Sequence, residues 1–186
     1  MVFRVLLLFA IPMLILSCSS SINDADPPIA NKEIHLKIKS SVLELGFSTR
    51  EQVISMLGNP EKSVASAHGG EDFYWDDLIE DTYSNPNLTI IYPRKTDRIV
   101  QMIYRPTPGE QFEGIYGTDQ DSSIEILKQK FSENKKKYDI VGTTTIWLSY
   151  FESRAPIYNI SCGYQFKDNS LFAINYMIDG DWKSKK

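Results

Sequence analysis

The sequence predicts an α+β fold of two successive units, each a helix followed by a three-stranded antiparallel sheet. The helix-starting pattern S-x-x-E occurs twice, at Ser48 and Glu51 and again at Ser122 and Glu125. Each copy precedes an apolar stripe with helical spacing, and three stretches with strand composition follow each helix. A helix covering one face of an antiparallel sheet lets both elements bury their apolar sides.

Residues 1–17 predict a signal peptide. Arg4 gives the start a basic charge, and the apolar run 5–16 that follows is shorter than the roughly 20 residues that a membrane-spanning helix needs. The run ends at Ile15-Leu16-Ser17-Cys18, which resembles the lipobox of bacterial lipoproteins. An ordinary signal peptide or an uncleaved anchor is the alternative.

Cys18 is therefore the predicted lipid-attachment residue. Its thiol can form a thioether to a diacylglyceryl group, and cleavage after Ser17 frees an amine that can be acylated, since stable anchoring takes more than one acyl chain. Ser19 stands where an inner-membrane retention signal would have aspartate. The resemblance thus implies a protein attached to the outer membrane, facing the periplasm or the cell exterior.

Residues 18–33 are rich in serine, asparagine, aspartate and proline and poor in large apolar side chains. Such a segment cannot bury enough surface to offset its ordering entropy, so it predicts a flexible tether. The folded part is expected to consist of a first unit, 34–110, and a second unit, 111–182. A basic tail, 183–186, would complete the chain.

In the first unit, residues 34–38 alternate as a short strand does. A helix is predicted from Thr49, with Val53, Ile54 and Leu57 on one face, and Gly58 followed by Pro60 ends it. The predicted strands are 71–75, 88–92 and 99–104, whereas 63–70 and 76–87 are predicted as loop. The Pro-Thr-Pro-Gly stretch 106–109 closes the unit.

In the second unit, Ile124, Leu127 and Phe131 form the apolar stripe of the helix. The predicted strands are 144–151, 158–166 and 171–178. The middle strand alternates cleanly between apolar and polar residues, and the polar turn after it has hairpin chemistry. This recurrence of element order predicts a duplicated arrangement.

The charge and cysteine content limit the possible functions. A net charge of −4 argues against a nucleic-acid partner. The basic clusters at 135–137 and 183–186 are interpreted as solvated charge, with anionic lipid as the alternative. Once Cys18 carries lipid, Cys162 is the one remaining cysteine, so neither a disulfide nor a cysteine-rich metal site is expected. Cys162 lies on the apolar side of its strand and is predicted to be a core residue.

No catalytic or cofactor motif is present. The sequence has no phosphate-binding glycine loop, no H-E-x-x-H and no G-x-S-x-G. His35 is interpreted as a surface residue, and the acidic run lacks the spacing of a calcium loop. This run comprises Asp72, Asp76, Asp77, Glu80 and Asp81. We therefore predict no metal, no cofactor and no enzyme. The alternative is an envelope hydrolase that uses His68 and nearby acidic loop residues.

Aromatic side chains are abundant in the predicted strands, among ten tyrosines and three tryptophans in the chain. Tyrosine combines apolar contact area with one hydrogen bond at low rotamer cost, which suits a recognition surface. Strands also favour aromatic residues for packing beneath a helix. The sequence is compatible with both interpretations.

The stretch from Gly46 to Pro60, with the pattern G-φ-S-x-x-E-V-x-x-L-G-x-P, follows a lipobox and a polar tether. This combination resembles the SmpA/OmlA group of small outer-membrane lipoproteins, one of which is a subunit of the β-barrel assembly machinery. A helix-plus-sheet unit present twice is similar to β-lactamase-inhibitor protein, which binds its target through an exposed sheet face. The subunit of the β-barrel assembly machinery is a single helix-plus-sheet unit, whereas this chain continues through a second such predicted unit.

Together these features predict a lipid-anchored envelope protein that binds or scaffolds a protein or peptide without catalysis. A role in outer-membrane assembly or maintenance is implied by the resemblance.

Overall fold

A computed structural model describes residues 34–66, 77–94, 96–142, 145–154 and 158–179, and of 66, 145–154, 158–159 and 179 it describes the backbone only. In chain order its elements are β1 (His35–Ile38), β2 (Ser41–Glu44), α1 (Arg50–Leu57), β3 (Lys62–Ser66), β4 (Leu78–Ser84), β5 (Asn87–Pro93), β6 (Gln101–Tyr104), β7 (Phe112–Glu113), a 3₁₀ turn (Ile115–Gly117), α2 (Ile124–Glu133), β8 (Tyr138–Val141), β9 (Thr145–Arg154), β10 (Tyr158–Lys167) and β11 (Ser170–Asp179).

The predicted fold class is wrong. The described part is mostly β, and its strands form two sheets in place of two helix-plus-three-strand units. The small sheet has the order β2-β1-β7, and the large sheet has the order β3-β4-β5-β6-β11-β10-β9-β8. Four strands of the large sheet, not three, follow each helix, and β6 pairs antiparallel with β11 to join both sets into one sheet. This pairing buries two strands that would otherwise leave unpaired backbone edges.

Each helix begins one residue later than predicted, although in both the N-cap is a hydroxyl side chain as the pattern indicated. The N-cap of α1 is Thr49, which exchanges hydrogen bonds with Gln52 in a capping box. Ser48 instead accepts a hydrogen bond from the Glu44 backbone N–H at 2.9 Å. The N-cap of α2 is likewise Ser123 and not Ser122. Adjacent residues able to cap made the patterns ambiguous by one position.

Other predicted features are confirmed. Gly58 ends α1 with a positive φ of 85°, and the α2 stripe of Ile124, Leu127 and Phe131 is buried. The turn between β10 and β11 places Asp168 and Asn169 at positive φ, as a two-residue hairpin requires. The strands predicted at 88–92, 99–104, 144–151, 158–166 and 171–178 correspond to β5, β6, β9, β10 and β11.

Two stretches predicted as loop contain strands, namely β3 and β4. The sequence of β4, LIEDTYS, lacks apolar alternation because Asp81 occupies a position facing the core, where it is fully buried. An ion pair with α1 makes that position tolerable for a carboxylate. The short strands β2, β7 and β8 were also missed. The strand predicted at 71–75 lies outside the described residues.

Both helices and the small sheet pack on one face of the large sheet, and one apolar cluster joins them. It contains Val53 of α1, Leu127 and Phe131 of α2, Leu36 of the small sheet and Tyr104 of β6. The opposite face of the large sheet carries none of these elements. In the described part of the chain the large sheet therefore has a covered face and a face that carries neither helix nor small sheet, which we call the open face.

Candidate binding surface

The antiparallel register aligns the covered face in rows that cross the sheet. One such row consists of Tyr83, Leu88, Tyr104, Ile174 and Tyr164. Each of these side chains is at most 3% exposed. Because successive residues of a strand point to opposite faces, the register assigns the neighbouring positions to the other side of the sheet.

The tyrosines of the described strands belong to the covered face. Tyr83, Tyr92, Tyr104, Tyr164 and Tyr176 are all buried. For these five the recognition-surface interpretation is wrong, because they pack beneath the helices and the small sheet. Tyr74 and Trp75 lie outside the described residues, and of Trp147, Tyr150 and Tyr158 only the backbone is described, so the interpretation is untested for these five.

The open face consists of the alternate positions. One row comprises Thr82, Thr89, Ile103, Asn175 and Gly163. A second row comprises Ile91, Gln101, Met177 and Ser161. These nine residues are uncharged, whereas the charged residues Lys62 and Glu80 continue the two rows at one margin of the sheet, opposite Thr82 and Ile91. Depletion of charge is typical of the centre of protein interfaces, whereas a merely hydrated face usually carries charged side chains.

The open face is also well ordered by its own contacts. Gln101 Nε2 donates a hydrogen bond to Asn175 Oδ1 at 3.0 Å, linking β6 to β11. Leu78, Ile91 and Val100 are each at most 5% exposed and form a small apolar cluster separate from the main core, so Ile91 itself is not accessible to a partner. The Val100 backbone N–H donates to the Ile91 carbonyl at 2.9 Å. Such a preformed surface loses little conformational entropy when a partner binds.

Beneath the covered face, α1 is held to the sheet by a buried ion pair. Arg50 Nε lies 2.6 Å and Arg50 Nη2 3.2 Å from the two carboxylate oxygens of Asp81, and Nη2 also contacts Ser63 Oγ at 3.3 Å. Asp81 is fully buried, whereas the Arg50 side chain is 28% exposed. The hydrogen bond that Arg50 donates to Asp81 raises the pKa of Arg50. The arrangement positions α1 but presents no group to a ligand.

Burial shifts the pKa values of polar groups around this ion pair. Burial raises the pKa of the Asp97 carboxyl, while nearby Arg50 acts in the opposite direction. Burial likewise raises the pKa of Tyr83 to about 12. It raises the pKa of Tyr92 still further. These hydroxyls therefore stay neutral in ordinary conditions and cannot act as bases there.

The second half of the sheet is held by aromatic contacts. The ring centroid of Phe131 on α2 lies 5.8 Å from that of Tyr164 and 5.8 Å from that of Tyr138. The hydroxyls of Tyr164 and Tyr176 are 3.1 Å apart, and Tyr176 Oη accepts a hydrogen bond from the Ile115 backbone N–H at 3.2 Å. Buried hydroxyls are thereby paired with neutral partners.

A polar cleft of about 430 Å³ lies beside the small sheet. Its charged lining residues include Lys37 and Glu113, whose side chains approach to 3.5 Å. Asp119 in the same cleft accepts a hydrogen bond from the Ser122 hydroxyl at 2.9 Å. These charges are directed to one another or to the local backbone, so the cleft lacks the convergent polar groups of a catalytic pocket.

Of the acidic run that the sequence suggested for chemistry, the structure directs Asp77 and Asp81 to different arginines. Asp77 pairs with Arg94 at 2.7 Å, whereas Asp81 pairs with Arg50 on the covered face. In the described part no three His, Cys, Asp or Glu side chains lie close enough to hold a metal ion. Cys162 is fully buried, which confirms the core prediction. His35 is half-buried on β1.

Cys18, His68, Asp72 and Asp76 lie outside the described residues, so the predictions made for them stay predictions. Sequence reasoning did not single out the open-face residues Thr89, Ile103 and Asn175. Their signal was the residue alternation of the strands, but Thr, Ile and Asn at such positions carry no mark of a function.

The chain matches no known family model, no curated protein and no solved structure in the comparisons made with it. Among the described residues, no helix is both long and apolar enough to span a membrane.

Proposed function

We propose that this chain is a lipid-anchored protein of the bacterial envelope that binds a protein partner through the open face of its large sheet, without catalysis. The observation that carries the proposal is the uncharged, ordered and helix-free surface around Ile103 and Asn175. The partner itself is a protein or peptide, because a shallow sheet face lacks the enclosure that small ligands require.

The chemistry of the open face supports this choice. Ile103 and Met177 supply apolar contact, while the amides of Gln101 and Asn175 supply donors and acceptors. These four side chains are half-buried by their own neighbours. Their conformations are therefore already restricted before a partner binds to this shallow surface. Binding affinity at such a surface is highest when the rim of the interface is polar and its centre excludes water.

Site-specific photo-crosslinking tests the proposal in cells. A photoreactive residue at Ile103, in the full chain in its native envelope, is expected to give a protein adduct. The matched control is the same residue at Ile126, which is 41% exposed on α2, on the covered side of the molecule. Adducts from both positions in equal yield, or from Ile126 only, would contradict the proposal.

The anchor is proposed on the strength of the lipobox-like stretch that ends at Cys18. A Cys18→Ser variant is expected to lose incorporation of labelled fatty acid and to leave the membrane fraction, because no acyl chain can be attached. Unchanged fractionation of the variant would reject the lipid anchor while leaving the proposal for the open face intact.

A further inference from the structure

The two edge strands of the large sheet differ in how they meet solvent. At β3 the exposed residues are polar or small, among them Lys62 and Ser63, and Ser63 is also tied to Arg50. At β8, Ile140 is 45% and Val141 64% exposed. Natural edge strands are usually protected by short length, charged side chains, proline or a covering element; β8 is a strand of four residues whose one charged side chain is the exposed Asp139, and it contains neither lysine nor proline.

Because β8 is the last strand in the sheet order, no described strand pairs with its outer side. Its register with β9 aligns Val141 with Trp147 and Tyr138 with Tyr150, so the other side of its backbone is directed away from the sheet. Ile140 and Val141 are consecutive and point to opposite faces. An added strand could therefore contact an apolar side chain on each face while its backbone pairs with β8.

Two exposed lysines precede this strand. Lys135 and Lys137 make no ion pair within the described ranges, and they form a local positive charge on a chain of net charge −4. Every strand pair in the described part is antiparallel. A strand added antiparallel to β8 has its C-terminal end beside these lysines, where acidic side chains are favoured.

We infer that β8 accepts an added strand from an extended peptide segment of a partner, apolar in its middle and acidic at its C-terminal end. A second copy of this chain fits less well. In antiparallel self-pairing the residues that follow β8 would meet the lysines of the other copy, and residues 142–146 contain no carboxylate. Strand addition of this kind draws affinity from main-chain hydrogen bonds and selectivity from the flanking side chains.

The test uses the full chain and two labelled peptides of identical composition. One peptide carries three alternating Thr-Val pairs followed by three glutamates, and the other carries the glutamates first. Fluorescence anisotropy is expected to show that the first peptide binds about fivefold more tightly, a ratio that two exposed ion pairs can produce. Equal affinity, or no binding of either peptide, would overturn the inference.

Variants locate the binding. Val141→Lys is expected to abolish binding of the first peptide, and the double change Lys135→Glu with Lys137→Glu to remove its advantage over the second. Val42→Lys is the matched control, because Val42 is a 42% exposed valine on the edge strand β2 of the small sheet. An equal loss with Val42→Lys would overturn the inference, as would a dimer of the chain that Val141→Lys dissociates.

The variant Ile103→Arg separates this site from the proposed function. It changes the open face, so it is expected to bind the first peptide with unchanged affinity. If that affinity falls with Ile103→Arg, the peptide binds the open face and the inference about β8 is wrong.

Discussion

The two helices occupy equivalent places, each before four strands of the same sheet, but different forces hold them. Helix α1 buries only Val53 fully and is tied to β4 by the Arg50–Asp81 ion pair. Helix α2 buries Ile124, Leu127 and Phe131, and Phe131 packs on a tyrosine of β10. One half thus depends on a buried charge and the other on aromatic packing, so the two halves should respond differently to substitution and to pH.

The aromatic half should show the largest effect. Phe131→Ala is expected to lower the free energy of unfolding by about 4 kcal/mol, since it removes a fully buried ring and leaves a cavity. Ile126→Ala on the same helix, where the side chain is 41% exposed, should cost less than about 0.5 kcal/mol. Urea denaturation measures both. Similar losses from the two changes would show that α2 is not packed as described.

In the other half, the loss of stability on breaking the Arg50–Asp81 ion pair should depend on which partner is removed. Arg50→Ala is expected to cost about 3 kcal/mol, because it leaves the Asp81 carboxylate buried without its partner. Asp81→Ala should cost less, about 2 kcal/mol, since Arg50 can turn towards water. Replacing both residues by leucine should restore part of the loss. Equal effects of the two single changes in urea denaturation would contradict this asymmetry.

Neutral polar groups hold part of the aromatic half. Tyr176→Phe is expected to cost about 2 kcal/mol, because both the Ile115 backbone N–H and the Tyr164 hydroxyl lose their bond to Tyr176. Tyr164→Phe removes a hydroxyl that bonds Tyr176 and Thr118 but leaves the Ile115 backbone N–H paired, so it should cost less, about 1 kcal/mol. Thermal unfolding of the two variants ranks them. A greater loss from Tyr164→Phe would contradict the assigned hydrogen bonds.

The smallest expected change in stability is at Asp97, where a substitution should stabilise the protein, whereas the preceding ones destabilise it. Burial raises its pKa in the folded protein, so the folded state binds more protons than the unfolded state between the ordinary carboxyl pKa and the raised one. The favourable contribution is complete below the ordinary value and is lost as pH rises through the raised one. Asp97→Asn should therefore stabilise the protein at neutral pH, by less than about 1 kcal/mol.

This gain should disappear as the pH falls below the ordinary carboxyl pKa, because Asp97 is then neutral in both states. Asparagine also tolerates the positive φ of 55° at this position. Stability measured between pH 3 and pH 7 for both proteins tests the sign. A gain that is independent of pH would indicate a conformational cause and not the burial of charge.

Local signals predicted most of the individual elements but not their assembly. The apolar stripe of α2 and the alternation of β10 were readable, because periodicity reflects which face is buried. β4 was not, since Asp81 breaks its pattern and depends on Arg50, a residue distant in sequence. The β6–β11 pairing joins the two halves across the sheet, and no local pattern specifies such a contact.

The sequence predicted that a sheet face forms the binding surface, but it did not predict which residues form that surface. A binding sheet face was expected, but the aromatic residues that suggested it lie, where described, on the covered side. The open face is instead built from threonine, asparagine, glutamine, isoleucine and methionine. Their role follows from the register and from the position of the helices, both of which require the three-dimensional structure.

Methionine oxidation in the native envelope tests the central claim most directly. Met177 is half-buried on the open face, whereas Met56 is 39% exposed on α1 and serves as an internal control. A bound partner should slow conversion of Met177 to its sulfoxide in the envelope relative to the purified protein, while Met56 reacts equally in both. Oxidation of Met177 at the same rate in the two settings would contradict a partner on the open face.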